Sequence, residues 1–268
     1  MTKLVGILNI TPDSFAEAAP RVAADAVLAH AERLIADGAD VIDVGAESTR
    51  PNGVALSPEA EWERLAPTLD AIVRMAGSAG IPVSLDTRHA GTAARALDLG
   101  VDWINDVTGF ADPAMRAVVA RHTCPLVLMH SLTVPVDPKI KLPPGDPFPP
   151  ILAFFRDRLD TLAREGIAAG RVILDPGLGF GPSPDQAIAI VARVGEFRAL
   201  GCPILVGHSR KSFLTLFTDR PAPERDDVTL ALSAFLFAAN VDYLRVHDIA
   251  RHKALRDRLS PLAPAAAS

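Results

Sequence analysis

Short runs of branched apolar residues recur along the chain, and nearly all of them stop abruptly in a polar cluster. Leu4 to Ile10 gives way to Thr11-Pro-Asp-Ser14, and Val41 to Val44 to Gly45-Ala-Glu-Ser-Thr-Arg-Pro51. Pro82 to Leu85 ends in Asp86, Trp103-Ile104 in Asn105-Asp106, and Pro125 to Met129 in His130. Val172 to Leu174 runs into Asp175-Pro-Gly-Leu-Gly-Phe-Gly181, Pro203 to Val206 into Gly207-His-Ser-Arg-Lys-Ser212, and Asp242 to Val246 into His247-Asp248. Runs this short, bounded by Gly, Pro and Asp, predict buried strands. Between them the spacing predicts helices, among them about Val22 to Asp37 before Gly38, one opened by Ser57-Pro58-Glu59, about His89 to Leu99 before Gly100, and Ile249 to Leu259. Ser as N-cap with Pro at the first helical position is the expected way to start the second of these.

Eight strand-then-helix units without a break in composition predict a parallel sheet covered by helices, and at 268 residues a single (β/α)8 barrel, an α/β TIM barrel. A doubly wound open sheet needs G-x-G-x-x-G after the first strand, and none is there; Gly177, Gly179 and Gly181 follow the sixth. The expected domain is residues 1–260, with a frayed Ala/Pro-rich tail over 261–268. Ser131 to Pro150, after the fifth strand, carries seven prolines and reads as a disordered excursion rather than a lid.

The composition narrows the class. With 49% hydrophobic and 22% charged residues the chain can build a large core. A net charge of −5 and dispersed cations exclude a nucleic-acid footprint. Cys124 and Cys202 are too few for a disulfide framework and fit reduced thiols. The first strand begins at once and no run reaches transmembrane length, so a cytoplasmic protein without membrane contact is expected.

In such a barrel, functional groups sit at the C-terminal ends of the strands. Asn9, Thr49, Arg50, Asp86, Asn105, Asp175, Lys211, Arg245 and His247 are therefore expected at one mouth. Each alone has a plain alternative: a turn aspartate, a surface lysine, or Arg245 paired with Asp248. Together, Asp86, Asp175 and Asn105 suit a flat heterocycle with amino and ring N–H groups, and Lys211 adds a donor and a compensating charge. Arg245, His247 and Asn9 form a second set suited to phosphate or pyrophosphate. No His or Cys lies at metal-ligand spacing from His247, so Mg2+ held by phosphate oxygens and the Asn9 amide is the natural metal. A helix starting near Lys211 would let Ser212 receive a carboxylate through backbone N–H groups.

At these residues the chain resembles the dihydropteroate synthases. The matching stretches are Gly6-Ile-Leu-Asn-Ile-Thr-Pro-Asp-Ser-Phe15, Glu47-Ser-Thr-Arg-Pro51, Ser84-Leu-Asp-Thr87, Ile104-Asn-Asp106, Leu174-Asp-Pro-Gly-Leu-Gly-Phe-Gly181, Ser209-Arg-Lys-Ser-Phe213 and Arg245-Val-His-Asp248. The resemblance implies a pterin ring held by Asp86, Asn105, Asp175 and Lys211, and diphosphate with Mg2+ met by Asn9, Arg245 and His247. It implies a p-aminobenzoate site from Thr49, Arg50, Pro51, Phe180 and Ser212, and a homodimer. The implied reaction is dissociative: diphosphate leaves first and the aniline nitrogen attacks a pterin carbocation. Asp86, Lys211, Arg245 and His247 would act as catalytic charges rather than as a nucleophile or base.

Some positions depart from the family pattern. Ala16-Glu-Ala-Ala19 replaces a Ser-Asp-Gly-Gly run, and Ser131-Leu-Thr-Val134 and the proline-rich stretch follow Met129-His130; Ala46 stands where a second Gly is usual, His208 where a small or apolar residue is, and Asp226-Asp227-Val228 in place of a small, Gly-containing segment. They fall on the lid and p-aminobenzoate side, which raises two further expectations: an altered sulfonamide response, or a pterin-binding paralogue that no longer condenses the second substrate. A methyltetrahydrofolate-dependent methyltransferase is disfavoured, since Arg245 and His247 would be idle in it.

Overall fold

A computed structural model describes residues 1–10, 20–47 and 55–259. Eight parallel strands form its centre: β1 (Lys3–Asn9), β2 (Val41–Gly45), β3 (Val83–Asp86), β4 (Trp103–Asp106), β5 (Leu126–Met129), β6 (Val172–Asp175), β7 (Leu205–Val206) and β8 (Tyr243–Val246). Neighbours in sequence are neighbours in the sheet from β1 to β6, and β8 joins β1 to β7. The ring is completed between β6 and β7 by one parallel bridge, Leu174 with Ile204, and by Leu174 N–H donating to Pro203 O at 2.8 Å. This is the (β/α)8 barrel expected from the strand count. The seventh strand is shorter than its apolar run: Pro203 has no N–H to offer a ladder, and the Ile204 N–H donates to Asp242 Oδ2 at 2.9 Å.

The strands alternate between two environments. Leu4, Ile42, Val44, Val83, Leu85, Ile104, Leu126, Leu128, Val172, Leu174, Val206, Leu244 and Val246 face outward into the main core shared with the helices. Val5, Val41, Trp103, Val127, Ile173 and Leu205 form a separate apolar plug inside the barrel, with Tyr243 packed on it. Burial on both faces explains why these strands read as continuous apolar runs rather than as alternating ones.

The helical layer is α1 (Pro20–Ala36), α2 (Pro58–Leu65), α3 (Leu69–Ser78), α4 (Ala90–Asp98), α5 (Pro113–Val119), α6 (Phe148–Arg164), α7 (Pro184–Ala192), α8 (Asp226–Ala238) and α9 (Ile249–Leu259). Two helices, not one, follow β2. Pro67 cannot continue α2, and α3 then buries Leu69, Ile72 and Ala76 at spacings of three and four.

The stretch 131–150 is ordered, contrary to its expected disorder. Leu132 N–H donates to Phe180 O and Leu142 N–H to Gly181 O, both at 3.0 Å, and Gln186 Nε2 donates to Pro143 O at 2.8 Å and Gly145 O at 3.2 Å. Leu142 and Val136 are buried. The prolines rule out a ladder of backbone bonds but leave little conformational entropy to lose, so a few bonds suffice to fix the segment. Pro149 and Pro150 belong to the first turn of α6, where a missing N–H costs nothing. The expected tail over 261–268 lies outside the described residues.

Under α6, Phe148 stacks on Phe197 with ring centroids 4.9 Å apart, and Phe155 meets Phe197 edge-on at 5.8 Å. Phe155 is fully buried, so Phe155→Ala is expected to lower unfolding stability by about 3–5 kcal/mol, read as a fall in urea midpoint at unchanged slope.

Candidate functional site

The polar floor of the barrel is set by the pleat. Two residues along each strand from the apolar plug, the same inward face carries Asp43 after Val41, Asn105 after Trp103, Met129 after Val127, Asp175 after Ile173, Gly207 after Leu205 and Arg245 after Tyr243. Asp86 ends β3, level with Asn105 and Gly45 in the sheet register. Here the barrel opens into one cleft lined by Asp86, Asn105, Val107, Met129, Asp175, Gly177, Leu178, Phe180, Gly207, Lys211 and Arg245.

Arg245 is the hub. Its Nε donates to Asp43 Oδ2 at 2.5 Å and its Nη2 to Asp86 Oδ2 at 2.8 Å. Asn105 Nδ2 donates to the same Asp43 oxygen at 3.3 Å. Burial works against the guanidinium charge, but Asp43 and Asp86 outweigh it and hold the group more firmly protonated than usual. The acids are affected in the opposite sense. Burial raises Asp86 to about 7; Arg245 pulls it back, while Asp43 and Glu61 push it further up. Burial likewise raises Asp175 to about 6, against the Gly177 N–H, which donates to its Oδ1 at 2.8 Å, and the Lys211 charge. Such carboxyls are poised for a ligand that brings its own N–H donors.

Gly177 belongs to a turn with φ +69°, and a Cβ there would lie 1.8 Å from the His130 carbonyl oxygen, so only glycine fits this close approach. The turn carries the chain on to Phe180, whose ring lies under Lys211 with Nζ 4.4 Å from its centroid. Phe180 packs with Val107, Met129 and Val136, and Val134 lies against them. The ordered proline-rich stretch thus supplies the back of the cleft wall.

Of the residues expected at the mouth, Asp86, Asn105, Asp175, Phe180, Lys211 and Arg245 line this cleft. Asn9 ends β1, half-buried and level with Gly45, and His247 lies just past β8 with Nδ1 2.8 Å from Ser209 Oγ. Neither is among the lining residues. Arg245 faces Asp43 and Asp86 rather than Asp248, which pairs with Arg251 at 3.9 Å. Ser212 is exposed and opens a single 3-10 turn, Ser212–Leu216, too short for the aligned helix the sequence suggested. Thr49, Arg50 and Pro51, and the departures at Ala16 to Ala19, lie outside the described residues. The sequence reading missed Asp43 altogether. An acid inside an apolar strand run was its only signal, and counting inward positions from Val41 would have found it.

The pterin binding enzyme family matches residues 5–247. The chain belongs to this family. It is 40% identical to the type-2 dihydropteroate synthase of Escherichia coli over 97% of its length and 94% of that protein's. It is also 40% identical to a probable bifunctional folylpolyglutamate synthase/dihydropteroate synthase of Halobacterium salinarum, over 92% of its own length. It spans only 30% of that longer relative. Among solved structures, dihydropteroate synthase from Anaplasma phagocytophilum with bound 6-hydroxymethylpterin-monophosphate superimposes with a TM-score of 0.90 at 42% identity, covering 98% of this chain and 99% of that one. A pterin-binding barrel of this kind accounts for a floor of acids and an amide between apolar walls.

Removing Asp43 would leave Arg245 with Asp86 alone in a buried setting. Asp43→Ala is expected to cost about 3–5 kcal/mol of stability by denaturant unfolding at pH 7. Asp43→Asn, which keeps the shape and one acceptor, is expected to cost clearly less.

Proposed function

We propose that this chain is a dihydropteroate synthase, joining 6-hydroxymethyl-7,8-dihydropterin diphosphate to p-aminobenzoate with release of diphosphate and formation of 7,8-dihydropteroate. The observation that carries the reading is the convergence of Asp86, Asn105 and Asp175 beneath Lys211 in one apolar-walled cleft at the strand ends. An aminopyrimidinone offers amino and ring N–H donors to the two carboxylates and meets both functions of the Asn105 amide. Lys211, held over Phe180, donates to a ring acceptor and limits the negative charge. Phe180, Met129, Leu178 and Val107 exclude water from the ring faces.

In the reaction the methylene carbon loses its bond to the diphosphate oxygen and gains one to the aniline nitrogen, which then releases a proton. Diphosphate leaving first yields a cation delocalised into the pterin. Asp86 and Asp175, ionised once they accept N–H donors, lower its energy, and Arg245 and His247 are proposed to meet the charge gathered by the leaving anion. Among the described residues no three His, Cys, Asp or Glu side chains gather to hold a metal. That donor set fits Mg2+ carried by the diphosphate, with the Asn9 amide as its protein contact, better than a resident metal. When bound, Mg2+ would neutralise charge on the departing diphosphate. Thr49, Arg50, Pro51 and Ser212 are proposed for the p-aminobenzoate side. Exposed Leu216, Phe217 and Phe235 support a homodimer, in which a late-barrel face would be covered. No helix among the described residues is long and apolar enough to cross a membrane.

The test is direct: purified protein given the two substrates and Mg2+ should release diphosphate and form dihydropteroate in equal amounts. Binding of the pterin without condensation would instead support the paralogue. Asp86→Ala and Lys211→Ala are each expected to lower kcat/KM by on the order of 10²–10³.

The raised carboxyls give a pH signature. Without ligand, their protonation stabilises the fold below the unfolded value of about 4, and that contribution is lost as pH rises through about 6 to 7. Pterin N–H donors favour the ionised forms, so binding near neutral pH should release protons. Calorimetry in buffers of different ionisation enthalpy should show that release, with affinity falling on the order of tenfold from pH 8 to pH 6. A flat profile would count against Asp86 and Asp175 as the acceptors.

A further inference from the structure

The segment after β7 divides its side chains by parity. Ser209 faces the His247 imidazole and Lys211 lines the cleft, whereas His208 and Arg210 turn back onto α8. They meet one face of that helix, formed by Asp226, Thr229 and Ser233 at spacings of three and four. Arg210 makes a two-pronged pair with Asp226, Nε to Oδ1 and Nη2 to Oδ2, both at 2.7 Å, and its N–H donates to Thr229 Oγ1 at 3.2 Å. Its φ is +59°, a left-handed conformation that a non-glycine residue keeps only where its surroundings hold it.

His208 is fully buried. Its Nε2 lies 2.8 Å from Ser233 Oγ and 3.2 Å from Thr229 O. Ser233 Oγ is also 2.8 Å from Nε2 of His252 on α9, whose Nδ1 is 2.5 Å from the Asp248 carbonyl. A carbonyl only accepts, so a neutral His252 carries its proton on Nδ1, while the Ser233 hydroxyl lies within reach of both His252 Nε2 and, at 2.9 Å, Thr229 O. The Thr229 carbonyl only accepts, so His208 Nε2 carries a proton shared between Thr229 O and Ser233 Oγ. Contacts thus run from His208 through Ser233 to His252 and Asp248, and burial keeps both imidazoles neutral, lowering His208 to about 4.

We propose that His208 is a positioning residue: through Ser233 and Thr229 it clamps the β7–α8 connection to α8 and α9, and so sets the reach of Lys211 into the cleft and of Ser209 to His247. His208 touches no substrate. The Lys211 N–H donates to His208 O at 3.3 Å, closing a turn over Ser209 and Arg210, so a slip at the buried pair displaces Ser209 and Lys211 with it. This rests on the pterin-binding reading for its ligand but not for its geometry.

The test compares His208→Leu, which fills the space without a donor, with His208→Gln, whose amide restores an N–H near the Nε2 position. Pterin affinity should fall about tenfold in His208→Leu and less than about threefold in His208→Gln, at temperatures where both are folded. In a Lys211→Ala background His208→Leu should add less than about twofold, since the effect passes through Lys211. A lower melting temperature with unchanged pterin affinity, or the same fold-loss in both backgrounds, overturns the proposal. The imidazole nitrogen NMR spectrum supplies a ligand-free readout: the His247 signals should move in His208→Leu and return in His208→Gln. Unmoved signals also overturn the clamp. Wild-type protein that binds no pterin would instead sink the functional reading, with the clamp then decided by the His247 spectrum. Should His208→Leu fail to fold, Ser233→Ala beside His208→Gln supplies the same comparison.

Discussion

A half-buried arginine held between a buried acid, Asp43, and a half-buried one, Asp86, organises the centre of this barrel. Arg245 on β8 reaches Asp43 on β2 and Asp86 on β3, so three strands from the two ends of the chain share one charge network. Neither acid would be tolerated at the barrel centre alone, since a carboxylate taken from water without a partner costs several kcal/mol. The pairing admits polar groups to the interior, and the apolar plug of Val5, Val41, Trp103, Val127, Ile173 and Leu205 below it closes the other end. Asn105 and Asp175 stand on the same level and complete a polar floor that water reaches from one side only.

The supports of that floor come from outside the barrel. The Gly177 turn presses Asp175 against a backbone N–H and delivers Phe180 to the wall. The proline-rich stretch backs Phe180 with Val136, and α8 with α9 restrains the segment that bears Lys211. Asp175, Phe180 and Lys211 are thus each fixed from behind, as precise electrostatic recognition of a ligand requires.

Much of this was legible in the residues. Short apolar runs ending in polar clusters fix the eight strands because both faces of a parallel strand are buried, and the strand ends then nominate Asp86, Asn105, Asp175, Lys211 and Arg245. What was not legible has physical reasons. Asp43 lies one pleat below the strand ends, so a search of loops passed over it. The stretch 131–150 looked disordered because its prolines forbid regular structure, whereas its order depends on Phe180, Gly181 and Gln186, which are distant in sequence. The short turn after Lys211 could not be told from a helix start by local pattern. The partners of His208 on α8 and α9 appear only once those helices pack together.

The hub has a consequence for how the molecule comes to exist. Asp43 and Asp86 leave the ribosome long before Arg245, which is supplied by the last strand. Until β8 docks between β1 and β7, Asp43 and Asp86 lack the guanidinium that pairs with both of them. The charge balance at the centre of the pocket is therefore completed only by the last strand of the barrel.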